Sequence, residues 1–183
     1  MKIGLDAGHG MSNRVSGRYD SGATSGSYEE ADIALSWALA GKYILAQKEI
    51  ATHLIRSNRS EPAPVGSRDN EAQAEKCSHL LSIHCNASDG RASGVEVYYR
   101  NQGDLRFAEM VLSSLQEATG LRNRGLKLEA QSQHSRLAVL DFVPPACLME
   151  IGFIDNPKDL EVILRRETRI QFFSLLADRL LRN

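Results

Sequence analysis

Two histidines and a glutamate stand at or near the ends of apolar, strand-like stretches of this 183-residue sequence. His9 lies in the stretch LDAGHG, His84 in LLSIHCN and Glu150 in ACLMEIGF. Because sites gather at the carboxyl ends of the strands in open α/β sheets, we expect these three side chains to meet there. Imidazole and carboxylate groups are ligands that zinc prefers, and an ionised glutamate in so apolar a stretch needs a positive partner. The pattern predicts a metal site or a proton-transfer site.

A further carboxylate for such a site is available at the start of the first predicted helix. Glu29 and Glu30 fall in its opening turn, where the helix dipole favours an ionised carboxylate. Glu30 is also the last residue of an S-x-x-E capping box that begins at Ser27, and this role would use the same side chain. From spacing alone, the metal ligand and the helix cap are equally supported.

A dinucleotide-binding loop is the main alternative for the glycines around His9. Gly8 and Gly10 match only the first part of G-x-G-x-x-G, since the third glycine is missing. A long Gly/Ser-rich loop that runs to Ser27 also separates the motif from the next helix, whereas a nucleotide loop passes straight into its helix. The sequence therefore excludes that interpretation.

Composition indicates one globular domain over residues 1–183, with no linker to a second domain. The chain is 42% apolar and 25% charged, which is ordinary for a folded domain. A formal net charge of −1 gives no basic field for nucleic acid, and no apolar run has the length of about 18–20 residues that membrane insertion needs. No secretion signal is recognisable, so synthesis in the cytoplasm is expected. Cys77, Cys85 and Cys147 show no C-x-x-C spacing and are expected to be free thiols.

Strand and helix patterns alternate along the chain, which predicts an α/β sandwich with a mostly parallel, twisted sheet flanked by helices. The predicted strands are 2–6, 51–56, 79–86, 94–99, 136–143 and 146–154. The predicted helices are 28–47, 68–77, 104–119, one that starts at Pro157, and 169–181. Strand 94–99 alternates apolar and polar residues, which is typical of a half-exposed strand.

Four stretches together resemble the zinc-dependent N-acetylmuramoyl-L-alanine amidases of the type 3 catalytic family. LDAGHG, YEEADIAL, LLSIHCN and CLMEIGFIDNP occur in the family's order and span essentially the whole chain. The resemblance implies cleavage of peptidoglycan between the muramic acid lactyl group and the first L-alanine. It also implies one zinc ion on His9, Glu30 and His84, with Glu150 as the general base that takes a proton from the activated water.

The resemblance, or the position along the chain, also predicts roles for several other residues. Asn86 and His134 are predicted to contact substrate, although Asn86 also suits a turn and His134 a solvated loop. Arg56 is expected to form a salt bridge, and His53 and His79 are expected to be structural. We expect the side chain of Cys85 to point away from His84, because neighbouring strand residues alternate between faces.

We expect a minimal, constitutively active catalytic domain that acts as a monomer on bacterial peptidoglycan, because the predicted loops are short and the sequence shows neither a separate cell-wall-binding domain nor an inserted autoinhibitory helix. A phage endolysin, released when the membrane is breached, fits a chain made without a signal, and a bacterial autolysin would look the same. Two other functions remain open at this point. One is a zinc-dependent carboxypeptidase of the same polymer, and the other is a non-catalytic wall-binding regulator.

Overall fold

The computed structural model describes residues 1–182 and is built around a six-stranded sheet with helices on both faces. In chain order the described strands are β1 (Lys2–Ala7), β2 (Gly10–Met11), β3 (Tyr19–Asp20), β4 (Thr24–Ser25), β5 (Tyr28–Glu29), β6 (Ala51–Leu54), β7 (His79–Asn86), β8 (Val95–Tyr99), β9 (Asn123–Leu128) and β10 (Ala146–Phe153). The α-helices are α1 (Glu30–Gln47), α2 (Arg68–Ala74), α3 (Gln102–Thr119), α4 (Pro157–Leu164) and α5 (Arg166–Leu181). Two 3-10 helices, Glu129–Gln131 and Ala138–Asp141, lie between β9 and β10.

The strand order of the central sheet is β6–β1–β7–β10–β8–β9. All neighbouring strands are parallel except β10 and β8. This arrangement confirms the predicted α/β sandwich with a mostly parallel sheet. Since β1, β7 and β10 are adjacent and parallel, their carboxyl ends lie side by side at one edge.

The two faces of the sheet differ in what they pack against. One face packs against α1, α3 and α5 and forms the main core, where Trp37 of α1 lies beside Phe172 and Phe173 of α5. The other face carries a smaller core under α2 and the second 3-10 helix. Strand alternation places a row of polar side chains on this second face. They are Asp6, Ser82, His84, Glu96 and Glu150.

The structure also shows where the three cysteine side chains lie. Cys85 is buried in that core, so its side chain points away from His84 as predicted. Cys77, Cys85 and Cys147 are all free and buried. Burial raises the pKa of the Cys85 thiol well above its ordinary value, which keeps it protonated at neutral pH.

The predicted strand 136–143 is wrong. Residues Ala138–Asp141 form a 3-10 helix, in which Leu140 N donates to Leu137 O at 2.9 Å. Its Val139 and Leu140 side chains are buried in the smaller core. Two prolines follow this segment and cannot donate to a strand ladder, so pairing begins only with β10.

The predicted half-exposed character of strand 94–99 is also wrong, because four of the five residues of β8 are buried. Glu96 is 1% exposed, and its carboxylate accepts from Arg124 Nε at 2.7 Å and Lys127 Nζ at 2.6 Å. Both cations come from β9, a strand that the sequence patterns did not predict. A buried carboxylate is tolerated here because this edge strand supplies opposite charge.

The helices agree with the predictions except at their ends. Helix α3 begins at Gln102 rather than 104, because the Asn101 side chain accepts from Gly103 N and caps the helix. The predicted single loop before α1 contains two short hairpins, β2–β3 and β4–β5. Within residues 1–182, no helix combines the length and the apolar character that crossing a membrane requires.

Candidate metal centre

Three side chains predicted as metal ligands come together at the carboxyl edge of the sheet. His9 follows β1, His84 lies near the end of β7, and Glu30 is the first residue of α1. One potential ligand atom from each residue lies within 4.8 Å of the other two. The structure therefore joins three sequence motifs that are far apart along the chain.

Glu30 is oriented by contacts on both of its carboxylate oxygens. Its Oε1 lies 3.1 Å from His9 Nε2 and 2.8 Å from His84 Nδ1, and it also accepts from Cys85 N at 3.0 Å. Its Oε2 accepts from Ala23 N at 2.9 Å. Burial disfavours the charged carboxylate, but hydrogen bonds from the two histidines lower the pKa of Glu30 below its ordinary value.

The capping alternative for Glu30 is excluded by the start of α1. The N-cap residue is Glu29, and no side chain makes a cap hydrogen bond there. Glu30 N instead donates to Ala23 O at 2.9 Å, while the carboxylate faces the histidines. The side chain is thus available to a cation and is not committed to the helix end.

The glycines around His9 leave the space that the imidazoles occupy. A Cβ on Gly8 would lie 2.3 Å from His84 Cε1, which is far closer than van der Waals contact. Gly22 is similarly close, since its Cβ would lie 2.6 Å from both Glu30 Oε2 and His9 Cδ2. His9 itself has a φ of 59°, so the chain turns sharply at this residue. These glycines serve close packing around the site.

Glu150 lies on the same face of the sheet as His84, because the two residues are paired across β10 and β7. Its Oε2 atom is buried and has no hydrogen-bond partner among the described residues. Burial, together with the charges of Glu30 and Glu96, raises the pKa of Glu150 well above its ordinary value. A buried carboxyl group with a perturbed pKa in a cavity is a candidate for proton transfer.

The cavity over these residues has a volume of about 840 Å³. His9, His84, Glu150 and His134 all line it. His134 is exposed on the segment between the two 3-10 helices. Arg100 holds this segment in place, because its guanidinium donates to Glu129 Oε1 at 2.5 Å and also bonds to Asp141.

Asn86 shapes the turn after β7, as one of its two predicted roles requires. Its Nδ2 donates to Glu96 Oε1 at 2.9 Å, and its Oδ1 accepts from Ala87 N at 2.9 Å. The residue also lines the cavity, so its contact with substrate stays a prediction.

The structure also shows the surroundings of His53, His79 and Arg56, for which structural roles were predicted. His53 Nε2 lies 2.8 Å from Glu71 Oε1, and the His79 ring lies 4.8 Å from that of Phe107. The salt bridge expected for Arg56 is wrong. This fully buried guanidinium donates to three backbone carbonyl oxygens and so connects the end of β1 to the first turn of α1. The three oxygens belong to Ala7, Gly8 and Ala31.

Asp20 is a site residue that the sequence patterns did not identify. Its Oδ2 lies 3.0 Å from His9 Nδ1, on the side of the ring away from Glu30. Partial burial alone would raise its pKa, but hydrogen bonds from His9 and Asn13 lower the pKa to about 2. A metal-ligating histidine usually donates its other N–H to such a partner. Asp20 lies in the Gly/Ser-rich stretch that the sequence predicted as a loop, so no local pattern marked it. Only its contact with His9 in the folded structure identifies it as a site residue.

The donor set fits a zinc ion. Two imidazoles and a carboxylate are the ligands of a known class of zinc sites that keep one position open for water or substrate. The pKa of His9 is raised, since hydrogen bonds to Glu30 and Asp20 outweigh the lowering effect of burial. The acidic surroundings that favour an imidazolium favour a metal cation for the same electrostatic reason. Glu150, whose Oε2 is unpaired within the described part of the chain, lines the same cavity.

An open α/β sheet with such a group at its carboxyl edge is the arrangement that metal-dependent hydrolases use. Comparison with known proteins identifies the family. Residues 3–181 match the model of the Amidase_3 family, described as N-acetylmuramoyl-L-alanine amidase, and the chain belongs to this family.

Individual relatives agree with this assignment. The chain is 30% identical over 166 residues to "N-acetylmuramoyl-L-alanine amidase CwlM" of Bacillus licheniformis, with 88% of this chain and 60% of the relative covered. It is 30% identical over 162 residues to "Probable cell wall amidase LytH" of Staphylococcus epidermidis, with 88% and 50% covered. The chain thus spans only about half to three fifths of the length of these two relatives.

A solved structure supports the fold over nearly its whole length. The catalytic domain of CwlV, an N-acetylmuramoyl-L-alanine amidase from Bacillus (Paenibacillus) polymyxa, superimposes with a TM-score of 0.84 at 26% identity. The match covers 99% of this chain and 96% of that domain.

Proposed function

We propose that this protein hydrolyses the amide bond between N-acetylmuramic acid and L-alanine in peptidoglycan, with one zinc ion held by His9, Glu30 and His84. The observation that carries the proposal is the convergence of these three ligand atoms within 4.8 Å of one another, in the cavity that Glu150 lines. Membership of the Amidase_3 family supplies the substrate class.

The zinc ion would polarise the scissile carbonyl and make the attacking water more acidic. The chain's own residues supply the remaining chemistry. Glu150 takes a proton from the attacking water and delivers it to the departing alanine nitrogen. Its buried Oε2 has no competing partner among residues 1–182, so the carboxylate stays free to exchange a proton.

Positioning of the substrate falls to the rest of the cavity. A volume of about 840 Å³ accommodates a sugar and the start of its stem peptide. We assign substrate contacts to His134 and Asn86, which line the cavity without belonging to the three ligand residues. The Arg100 contacts keep the His134 segment against the cavity before substrate binds.

The test is a digest of purified peptidoglycan that scores new chain ends, with and without a chelator. We expect new L-alanine amino groups without new reducing sugar ends, loss of activity on chelation, and recovery when zinc is added. New ends at another peptide bond would assign the protein as a zinc-dependent peptidase, such as the carboxypeptidase considered above. No new ends from folded, zinc-loaded protein would favour the wall-binding regulator.

We further propose that the protein acts as a monomer and as a lytic endolysin made in the cytoplasm. Expression inside a bacterial cell should then leave growth unchanged until the membrane is permeabilised, when lysis should follow within minutes. A Glu150→Gln variant is the matched control and should not lyse the cells. Lysis without permeabilisation would contradict the proposed release mechanism, and a dimer in sedimentation equilibrium would contradict the monomer.

A further inference from the structure

A chain of hydrogen bonds leads from a buried arginine to the ring of His9. Arg68 contacts Asn13, Asn13 contacts Asp20, and Asp20 contacts His9. Arg68 is 2% exposed and Asn13 is 6% exposed. In this chain, each hydrogen bond determines which group donates and which accepts in the next one.

The direction starts at Arg68, which can only donate. Its Nη1 donates to Asp6 Oδ1 at 2.5 Å, and its Nη2 donates to Asn13 Oδ1 at 2.9 Å. The same guanidinium donates to the carbonyl oxygen of His9 at 2.7 Å. Arg68 therefore holds the backbone of His9 and also requires that Asn13 present its oxygen rather than its amide nitrogen.

The orientation of the Asn13 amide determines its contact with Asp20. With Oδ1 committed to Arg68, Nδ2 faces Asp20 Oδ2 and donates to it at 2.6 Å. The flipped amide would place its NH₂ against the guanidinium and its oxygen against the carboxylate, so both contacts would become repulsive. The position of Asp20 is fixed further by Gly22 N, which donates to Asp20 Oδ1 at 3.0 Å.

Asp20 then determines which nitrogen of a neutral His9 ring carries the hydrogen. An ionised carboxylate only accepts, so His9 Nδ1, 3.0 Å away, must be the donor. The other nitrogen, Nε2, lies 3.1 Å from Glu30 Oε1. Glu30 could therefore also accept the ring hydrogen. A zinc ion can bind Nε2 only if that hydrogen is on Nδ1 and is donated to Asp20.

We propose that Asn13 and Asp20 are positioning residues of the metal centre, which hold His9 with its hydrogen on Nδ1 and its Nε2 lone pair directed at the ion. The inference rests on the proposed zinc function. It adds a fixed direction of hydrogen bonding that begins at Arg68. Removal of such outer-shell partners typically lowers metal affinity about 10–100-fold.

The variant Asn13→Asp tests the link between Asn13 and Asp20. It preserves the shape and the contact with Arg68, but it replaces the donor that faces Asp20 by a second carboxylate oxygen. We expect zinc affinity, measured by competition with a chromophoric chelator, to fall at least tenfold. The added negative charge by itself would strengthen zinc binding, so a loss cannot come from net charge.

Arg14→Gln is the matched control, since it makes the same change in net charge beside the same carboxylate. Arg14 is exposed, and its Nε lies 3.6 Å from Asp20 Oδ2, outside the chain of hydrogen bonds. Its zinc affinity should stay within about twofold of the parent protein or increase. Equal zinc affinity of Asn13→Asp and the parent, or an equal loss in both variants, would overturn the proposal.

A measurement on the unsubstituted protein keeps the test decisive if Asn13→Asp does not fold. Long-range ¹H–¹⁵N NMR of the zinc-loaded protein distinguishes the two ring nitrogens of His9. We expect hydrogen on Nδ1 and metal on Nε2, and the reverse assignment would refute the proposal.

The two proposals fail in different ways. Zinc binding with the expected His9 assignment but without peptidoglycan cleavage would support the positioning role and overturn the hydrolase. Cleavage by Asn13→Asp with unchanged zinc affinity would support the hydrolase and overturn the positioning role. Absence of zinc binding by the unsubstituted protein would overturn both.

Discussion

Glu150 on β10 lies directly opposite His84 on β7 in the parallel pairing of the two strands. On the other side of β10, Glu150 is the antiparallel partner of Glu96 on β8. The three side chains therefore form one row across the sheet, and a one-residue shift in register would send Glu150 into the main core. The sheet itself places the proposed general base beside a candidate metal ligand.

Replacement of Glu150 by glutamine should separate catalysis from metal binding. We expect the variant to lose about 10²–10⁴-fold in the rate of amide cleavage, which is the usual contribution of a general acid–base group. Zinc affinity should be unchanged, because Glu150 is not one of the three converging ligand residues. Parent-like activity in Glu150→Gln would refute its role, and loss of zinc would move Glu150 into the ligand set.

The raised pKa of Glu150 predicts a pH-dependent effect on the stability of the metal-free protein. Because the folded state favours the protonated carboxyl, its contribution is fully present below the unfolded pKa, near 4.5, and is lost as pH rises through the raised value. Glu150→Gln cannot lose that contribution. The Tm difference between variant and parent, measured with a chelator present, should become more positive from pH 4 to pH 8. A constant difference would contradict the prediction.

Glu30→Gln should weaken zinc binding while it retains the volume of the side chain. Loss of the anionic oxygen that both histidines approach should cost more than the roughly 10–100-fold typical of outer-shell partners. Competition with a chelator measures the loss. His53→Gln, at a histidine paired with Glu71 outside the group, is the control and should bind zinc normally. Equal affinity in both variants would remove Glu30 from the ligand set.

Gly8→Ala should disrupt the site by steric overlap with the ring of His84. The added methyl would lie 2.3 Å from Cε1, so the ring or the backbone must move, and overpacking of this kind costs about 1–3 kcal/mol. Gly66→Ala is the control, because its Cβ would meet no atom within 4 Å. Thermal melts and zinc titrations of the two variants should differ clearly, and similar results would mean that His84 has room to move.

His134→Ala tests the predicted contact with substrate. We expect KM for peptidoglycan fragments to rise severalfold while zinc affinity is unchanged, since His134 lines the cavity but is not one of the three converging residues. A change in zinc affinity would assign it a different role. Unchanged kcat and KM would leave it as an exposed loop residue.

The sequence predicted the candidate site residues at the ends of apolar stretches better than the residues that support them. His9, His84 and Glu150 were recognisable because each stands at the end of an apolar stretch, and the resemblance to a family selected Glu30. Asp20 and Asn13 lie in a polar loop without periodicity, so no local pattern marked them. Arg68 was part of a predicted helix, but its contacts come from residues far away along the chain.

Local patterns also failed where tertiary contacts override them. The apolar stretch that contains Val139 and Leu140 predicted a strand, but it forms a 3-10 helix whose two apolar side chains are buried in the smaller core. The alternation in β8 indicated a half-exposed strand, yet Glu96 is buried because β9 brings Arg124 and Lys127 to it.

By itself, the sequence determined the alternation of strands and helices, the mostly parallel sheet and the residue types available at its carboxyl edge. These properties follow from apolar periodicity and glycine spacing, which act over a few neighbouring residues. Only the tertiary structure decided that Glu30 faces two histidines instead of capping α1, and that Asp20 contacts the ring of His9. Such contacts join residues brought together by strand register and loop closure, and hydrogen-bond direction is set by partners that no local pattern specifies.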